Sequence, residues 1–373
     1  MFLALKEMRR AKARFGLLMA AIGLLVFLVL FQQSLQNGLL TGFVGGLRNQ
    51  SAPVLVYSVD GRRNLQGGVV VPTLEQQVRA VDGVGTVGRL SLSTFTAQAG
   101  GDQVDAAVVG YDDVAVGAPK SLVKGRYPAA AAEAVANESD ARDGFDVGDV
   151  VTLDPGGFPI TVVGLARDVQ INVTPTLFVR YDTYEAAVRS RFANATTILP
   201  NALAVAPANG VSNAELVRRI NAISDDLDAL VRNDAARKAP GVSAVRQSFT
   251  VIFLLYGLVV PFVTGLFFLI ITFQKSSALT LLRAIGAPAR RLIDALLIQV
   301  VIVIAGGLAL GIALYAPISQ QQLGGITLRF ETGAVVFWSV LLLFFGLVSS
   351  LFSARRVLGI DPITATTGAG AGR

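Results

Sequence analysis

The chain has 373 residues, 53% of them hydrophobic and 16% charged, against about 25% charged in an ordinary soluble domain; this is the composition of a membrane protein. It contains no histidine and no cysteine, which excludes Ser-His-Asp and Cys-His nucleophile systems, His/Cys zinc sites, iron–sulfur clusters and disulfide frameworks. The net charge of +6 would suit nucleic acid only if it formed a basic stripe on one folded domain, and its distribution along the chain excludes that.

Residues 1–14 carry Lys6, Arg9, Arg10, Lys12 and Arg14 and read as a cytoplasmic amphipathic helix. Residues 15–34 are long and apolar enough for a first transmembrane helix. A signal peptide would show a small-x-small cleavage pattern near Phe31-Gln-Gln-Ser34, which is missing, so the segment reads as a retained anchor.

Residues 35–247 must then fold outside the bilayer. Short β-type runs bounded by turn residues recur at 53–59, 103–111, 150–153, 160–165 and 177–181. Helical spacing appears in Leu74, Val78 and Val81 after Thr73, and in Leu216, Ile220 and Ile223 after a Ser212/Glu215 capping box. An α+β domain is expected. Its polar residues make no catalytic set and no metal site: Asp112-Asp113 and Asp225-Asp226-Asp228 match no calcium loop and read as solvated faces. Asn137-Glu-Ser139 and Asn194-Ala-Thr196 fit the glycosylation pattern, which matters only in a eukaryotic secretory route.

Three further apolar blocks follow, at 248–273, 295–317 and 334–352, and none of the four spans contains Asp, Glu, Lys or Arg. In the second, Pro261 removes a backbone bond and is the expected hinge. In the third, Gly307-Leu-Ala-Leu-Gly311 would let helices approach closely, within one subunit or at a dimer axis. Residues 318–333 form a short external loop and 353–373 a tail. The expected fold is a membrane protein with four transmembrane α-helices and an α+β extracytoplasmic domain inserted between helices 1 and 2.

Charge fixes the expected orientation. The N-terminal segment, the 274–294 loop and the tail together hold 12 Lys/Arg against 3 acids, whereas residues 35–247 hold 19 Lys/Arg against 22 acids. Lys and Arg are retained in the cytoplasm, so both termini are expected there, with the large domain outside. The spans lack ionisable residues, which argues against a proton- or ion-coupled carrier.

In the 274–294 loop, Ser277 to Ile285 make about two helical turns, with Gly286 as the stop and Pro288 starting the next helix. An interfacial connector needs no more than this; a helix that docks into a partner would present the same apolar face. Here the sequence resembles the FtsX/MacB-type permeases of ATP-binding cassette (ABC) transporters. The likeness rests on Leu281-Leu-Arg-Ala-Ile-Gly-Ala287, on the order of one span, external domain and three spans, and on the Asp361-Pro-Ile-Thr-Ala365 tail. Lys124-Gly-Arg-Tyr-Pro128, Gly148 to Leu153 and Ile160 to Leu165 are similar to the family's MacB-like periplasmic core domain. Where the family commonly has Glu-Ile-Gly before the Leu-Leu-Arg run, this chain has Ala278-Leu-Thr280.

The resemblance implies a non-catalytic permease subunit in a bacterial inner membrane. The chain has no Gly-x-x-x-x-Gly-Lys-Ser/Thr loop, so ATP and Mg are expected in a separate ABC ATPase dimer, as for half-permeases of the DevC/LolC kind, with no cofactor on this chain. It also implies a second permease copy, for some members a periplasmic adaptor or lipoprotein, and ATP-driven motion passed to the external domain for export or extraction. The alternative is an FtsX-like signalling subunit that activates a cell-wall hydrolase without transport. Leu281, Leu282, Arg283 and Ile285 are the expected ATPase-docking residues, Arg283 through a directional pair with a carboxylate. The substrate is not legible.

Overall fold

A computed structural model describes residues 8–274, 281 and 288–358. Two compact units divide them. One takes the described residues of Met1–Gln36, Ser248–Gln321 and Leu328–Arg373; the other takes Asn37–Gln247 and Gln322–Thr327. Helix α1, Lys12–Asn49, contributes to both and is helical throughout except at Val44 (φ −133°, ψ 16°).

The extracytoplasmic unit runs through β1 (Val54–Ser58), α2 (Pro72–Arg79), β2 (Val84–Ala99), β3 (Asp102–Tyr111), β4 (Lys124–Gly125) and β5 (Glu133–Asn137). It continues with β6 (Val150–Asp154), β7 (Phe158–Ala166), β8 (Thr176–Arg180), α3 (Tyr181–Arg191), β9 (Ala202–Pro207), α4 (Asn213–Asn221), β10 (Leu227–Val231) and α5 (Arg232–Lys238). The strands form one mixed sheet in the order β10-β1-β9-β2-β3-β8-β5-β7-β4, with β6 bridging β2 and β7. The long strand β2 ties the sheet together: residues 84–90 pair with β9, 90–99 with β3 and 96–98 with β6. It reverses into β3 through Gly100 and Gly101, at φ 59° and 93°, the left-handed pair that a two-residue hairpin requires.

Strand β1 is buried on both faces, which is why it reads as an unbroken apolar run. Val54 and Val56 face a core with Val78 of α2 and Leu216 and Ile220 of α4. Leu55 and Tyr57 face a second core that includes Leu40, Val44 and Leu47 of α1. A third core gathers Phe95, Phe145, Leu153, Ile160 and Leu177 with Tyr181 and Tyr184 of α3.

The sequence reading assigned no strand to β2, β5, β9 or β10. Of these, β5 and β9 are alanine-rich segments of weak intrinsic β preference, recruited because buried positions between neighbouring strands admit small side chains. The Ser212 cap forms as expected, its Oγ accepting from Glu215 N–H at 3.2 Å. Asp112 pairs with Arg89 and Asp228 with Arg63, and among the described residues no three carboxylates converge to hold a metal. Asn137 is buried, so that sequon is closed in the folded domain, while Asn194 is exposed.

The membrane unit consists of the first part of α1, α6 (Val242–Gln274) from Ser248 onward, α7 (Ala289–Ile318) and α8 (Thr332–Leu358), each helix long and apolar enough to span a bilayer. Its core joins Ile22, Val26 and Leu30 of α1 to Val300, Val303 and Ile304 of α7 and Trp338 and Leu342 of α8. Helix α7 is the most enclosed and α6 the most open to its surroundings. At one end Ser34 accepts from Arg329 N–H and donates to Arg329 C=O, each at 3.0 Å, and the Tyr315 hydroxyl donates to the same carbonyl at 2.8 Å.

Candidate functional site

Of the expected ATPase-docking residues, Leu281 is described and is 67% exposed. Leu282, Arg283 and Ile285 lie outside the described residues. Pro261 sits inside the continuous helix α6; a Cβ on Gly257, four residues earlier, would meet nothing within 4 Å. Gly307 and Gly311 lie against α1. A Cβ on Gly311 would come within 2.7 Å of the Gly23 carbonyl oxygen, and one on Gly307 within 2.6 Å of Ile22. The two helices thus approach backbone to backbone across small residues.

The most elaborated junction involves residues that the sequence reading did not select. The last turns of α1 carry Gly38, Gly42, Gly45 and Gly46, which recur on one face at helical spacing. The opposite face carries Leu40, Val44 and Leu47 into the domain core. Residues 167–175, the connection from β7 to β8, run across the glycine face as a strap. Gly46 N–H donates to Gln170 C=O at 2.8 Å, Asn172 N–H to Phe43 C=O at 3.0 Å and Val173 N–H to Gly42 C=O at 2.9 Å. Asn49 Nδ2 donates to Asp168 C=O at 2.7 Å.

The glycines make this possible. A Cβ on Gly45 would overlap the Asp168 carbonyl oxygen, and one on Gly46 would come within 2.8 Å of the Val169 carbonyl oxygen. Gly38 makes the same kind of approach, 2.6 Å, to the carbonyl of Thr327, in the hairpin β11 (Gln322–Leu323) and β12 (Ile326–Thr327). The strap is also strained: Asp168, Asn172 and Val173 have φ of 59°, 55° and 58°, a region costly for any residue with a Cβ and most unusual for a β-branched one. Its bonds to α1 and to the sheet hold it there, since Val169 N–H also donates to Asn137 Oδ1 at 3.1 Å and Ile171 N–H to Thr176 Oγ1 at 3.0 Å.

Comparison with known proteins bears on the whole chain. No family profile matches it. The putative hemin transport system permease protein HrtB of Staphylococcus haemolyticus is 22% identical over 373 residues, 99% of each chain. Its counterpart from a Staphylococcus epidermidis strain is 22% identical over 374 residues, again 99% of each. Among solved structures, the periplasmic region of MacB from Actinobacillus actinomycetemcomitans is 15% identical with a TM-score of 0.36, covering 50% of this chain and 92% of that one. The extracellular domain of the Gram-positive transporter YknZ is 14% identical with a TM-score of 0.34, covering 48% and 98%. The match to the staphylococcal permeases runs from end to end of both chains, and this chain has four helices long and apolar enough to span a bilayer. The chain is similar over its whole length to putative hemin transport system permeases.

Beneath the strap lies a buried carboxylate. Asp140 is 2% exposed and accepts from Gln170 Nε2 at 2.7 Å, Ser139 Oγ at 3.0 Å and Asn137 Nδ2 at 3.2 Å. Burial pushes its carboxyl up to about 6, against the opposing pull of those three donors. Burial also raises the Tyr57 and Tyr111 phenols, whose hydroxyls lie in the core with no hydrogen-bond partner among the described residues. The strap residue Gln170 therefore links helix α1, through its backbone, to a group whose carboxyl is pushed up to about 6. The signal available in sequence was the run of glycines at i, i+4 and i+7 directly after a span; nothing local marked Asp140 or Gln170.

Proposed function

We propose that this permease subunit takes ATP-driven motion from a separate ATPase dimer and passes it along helix α1 to the extracytoplasmic domain, moving or extracting a substrate on the outer side. The observation that supports this most is the grip of the strap on residues 42–49: a displacement of α1 along its axis must break those bonds or carry the sheet with it. On this reading both termini and the 274–294 loop are cytoplasmic, as their excess of Lys and Arg favours. Leu281, Leu282, Arg283 and Ile285 dock into the ATPase, which binds ATP and Mg, and two permease copies assemble with it. Gly307 and Gly311 keep α7 close against α1, and Pro261 is where α6 bends.

The names of the staphylococcal relatives make hemin the first substrate to test. A chain with neither histidine nor cysteine would hold hemin by the porphyrin face or through a tyrosine or methionine. The decisive experiment co-expresses the chain with its ATPase, purifies the complex into nanodiscs and measures ATP hydrolysis with and without hemin. Copurification and hemin-stimulated hydrolysis are expected, both lost in Leu282→Asp, which sets a carboxylate against an apolar groove. Hydrolysis by the chain alone would overturn the subunit reading. A complex indifferent to hemin that activates a cell-wall hydrolase would replace transport by signalling.

A further inference from the structure

Within the membrane unit, α1 and α6 enclose a groove of about 470 Å³ lined by Arg14, Leu17, Leu18 and Ala21 on one side and Phe267, Ile270 and Gln274 on the other. The two sets sit at helical spacing, so each is a single stripe along its helix. Both stripes start polar at the same end, Arg14 facing the level of Gln274, and continue apolar for about two turns, roughly 10 Å. Among the described residues the Arg14 Nη2 has no hydrogen-bond partner and is closed off from solvent. A guanidinium left in that state is costly unless an acceptor reaches it.

We propose that this groove binds one anionic glycerophospholipid, its phosphate on Arg14 and the upper part of an acyl chain between Leu17, Ala21 and Ile270. The guanidinium presents several donors in a plane matched to phosphate oxygens, and Gln274 places an amide at the same level. Arg14 marks the step from the basic N-terminal segment to the apolar span, the depth of the phosphate layer in the leaflet on that side. Arg9, Arg10 and Lys12 are exposed just beyond it, so a headgroup with net negative charge is favoured over one carrying its own amine. The trough faces sideways, as a lipid site must: Leu17 is 72% and Ile270 43% exposed. The size lies in the range of pockets that hold a discrete ligand, a few hundred cubic ångströms.

The test is native mass spectrometry of the full chain released from nanodiscs containing equal phosphatidylglycerol and phosphatidylcholine. One retained phosphatidylglycerol per chain is expected, falling at least tenfold in Arg14→Gln and in Ala21→Phe, which fills the trough without touching the cation. Arg10→Gln should retain it. Should Arg14→Gln fail to insert, Ala21→Phe decides alone. The proposal is overturned if Ala21→Phe retains the lipid, if Arg10→Gln loses as much as Arg14→Gln, or if phosphatidylcholine is held equally well. It is likewise overturned if the groove takes hemin and no phospholipid.

Discussion

Gly45→Ala tests the strap most directly, because the added methyl has nowhere to go. Its carbon would overlap the backbone carbonyl of Asp168, and a backbone atom cannot rotate aside as a side chain does. Overpacking of this kind costs about 1–3 kcal/mol, and the helix recovers about 0.5–1 kcal/mol by exchanging glycine for alanine. The ceiling is loss of the strap's bonds to α1, each about 1 kcal/mol net. A net weakening of about 1–2 kcal/mol raises the open population of the strap roughly 5- to 30-fold. Hydrogen–deuterium exchange on the full chain in nanodiscs reads this at the amides of Gly46, Asn172 and Val173, which donate across the junction. Gly42→Ala is the matched control, since its Cβ would meet Val173 and Gln170 at 3.4–3.5 Å, ordinary contact distance. In the assembled transporter Gly45→Ala should leave ATPase binding intact while reducing substrate movement per ATP. Unchanged exchange at the strap in Gly45→Ala, or equal loosening in Gly42→Ala, would refute the reasoning.

Asp140 gives the extracytoplasmic domain a pH dependence. Its folded carboxyl titrates at about 6 against 3.8 for the free group, so between those values the folded chain binds more protons and stability falls as pH rises from about 4 to 6, then levels off. The upper bound is about 3 kcal/mol; denaturation of the full chain at pH 4.5, 6 and 7.5 should show the slope, and Asp140→Asn should flatten it. Gly311→Leu should separate α7 from α1 and lower the unfolding temperature of the membrane unit in nanodiscs, whereas Gly333→Ala, in open space, should not. For orientation, single cysteines replacing exposed Ser121 and loop residue Ser276 should label oppositely with an impermeant maleimide in whole cells; labelling of the Ser276 variant alone would invert the topology.

Several features of this chain were fixed locally and could be read without coordinates. A bilayer demands contiguous apolar length and self-satisfied backbone, so the four spans stand out in sequence, as does the insertion of a large domain after the first. Turn residues around β3, β6, β7 and β8 and the Ser212 cap announce themselves for the same reason: the causes lie within a few residues. The strap does not. Asp168 and Asn49 are 119 positions apart, and the importance of Gly45 depends on which carbonyl faces it, a fact absent from its own neighbourhood. Asn137 reads in isolation as a glycosylation acceptor, yet in the fold it is buried and holds the strap by accepting from Val169 N–H. Nothing in the residues beside Asp140 marks it in the sequence. Only the fold that brings Asn137 at the end of β5 and Gln170 of the strap against it removes water from its carboxylate, and that desolvation is what shifts its titration.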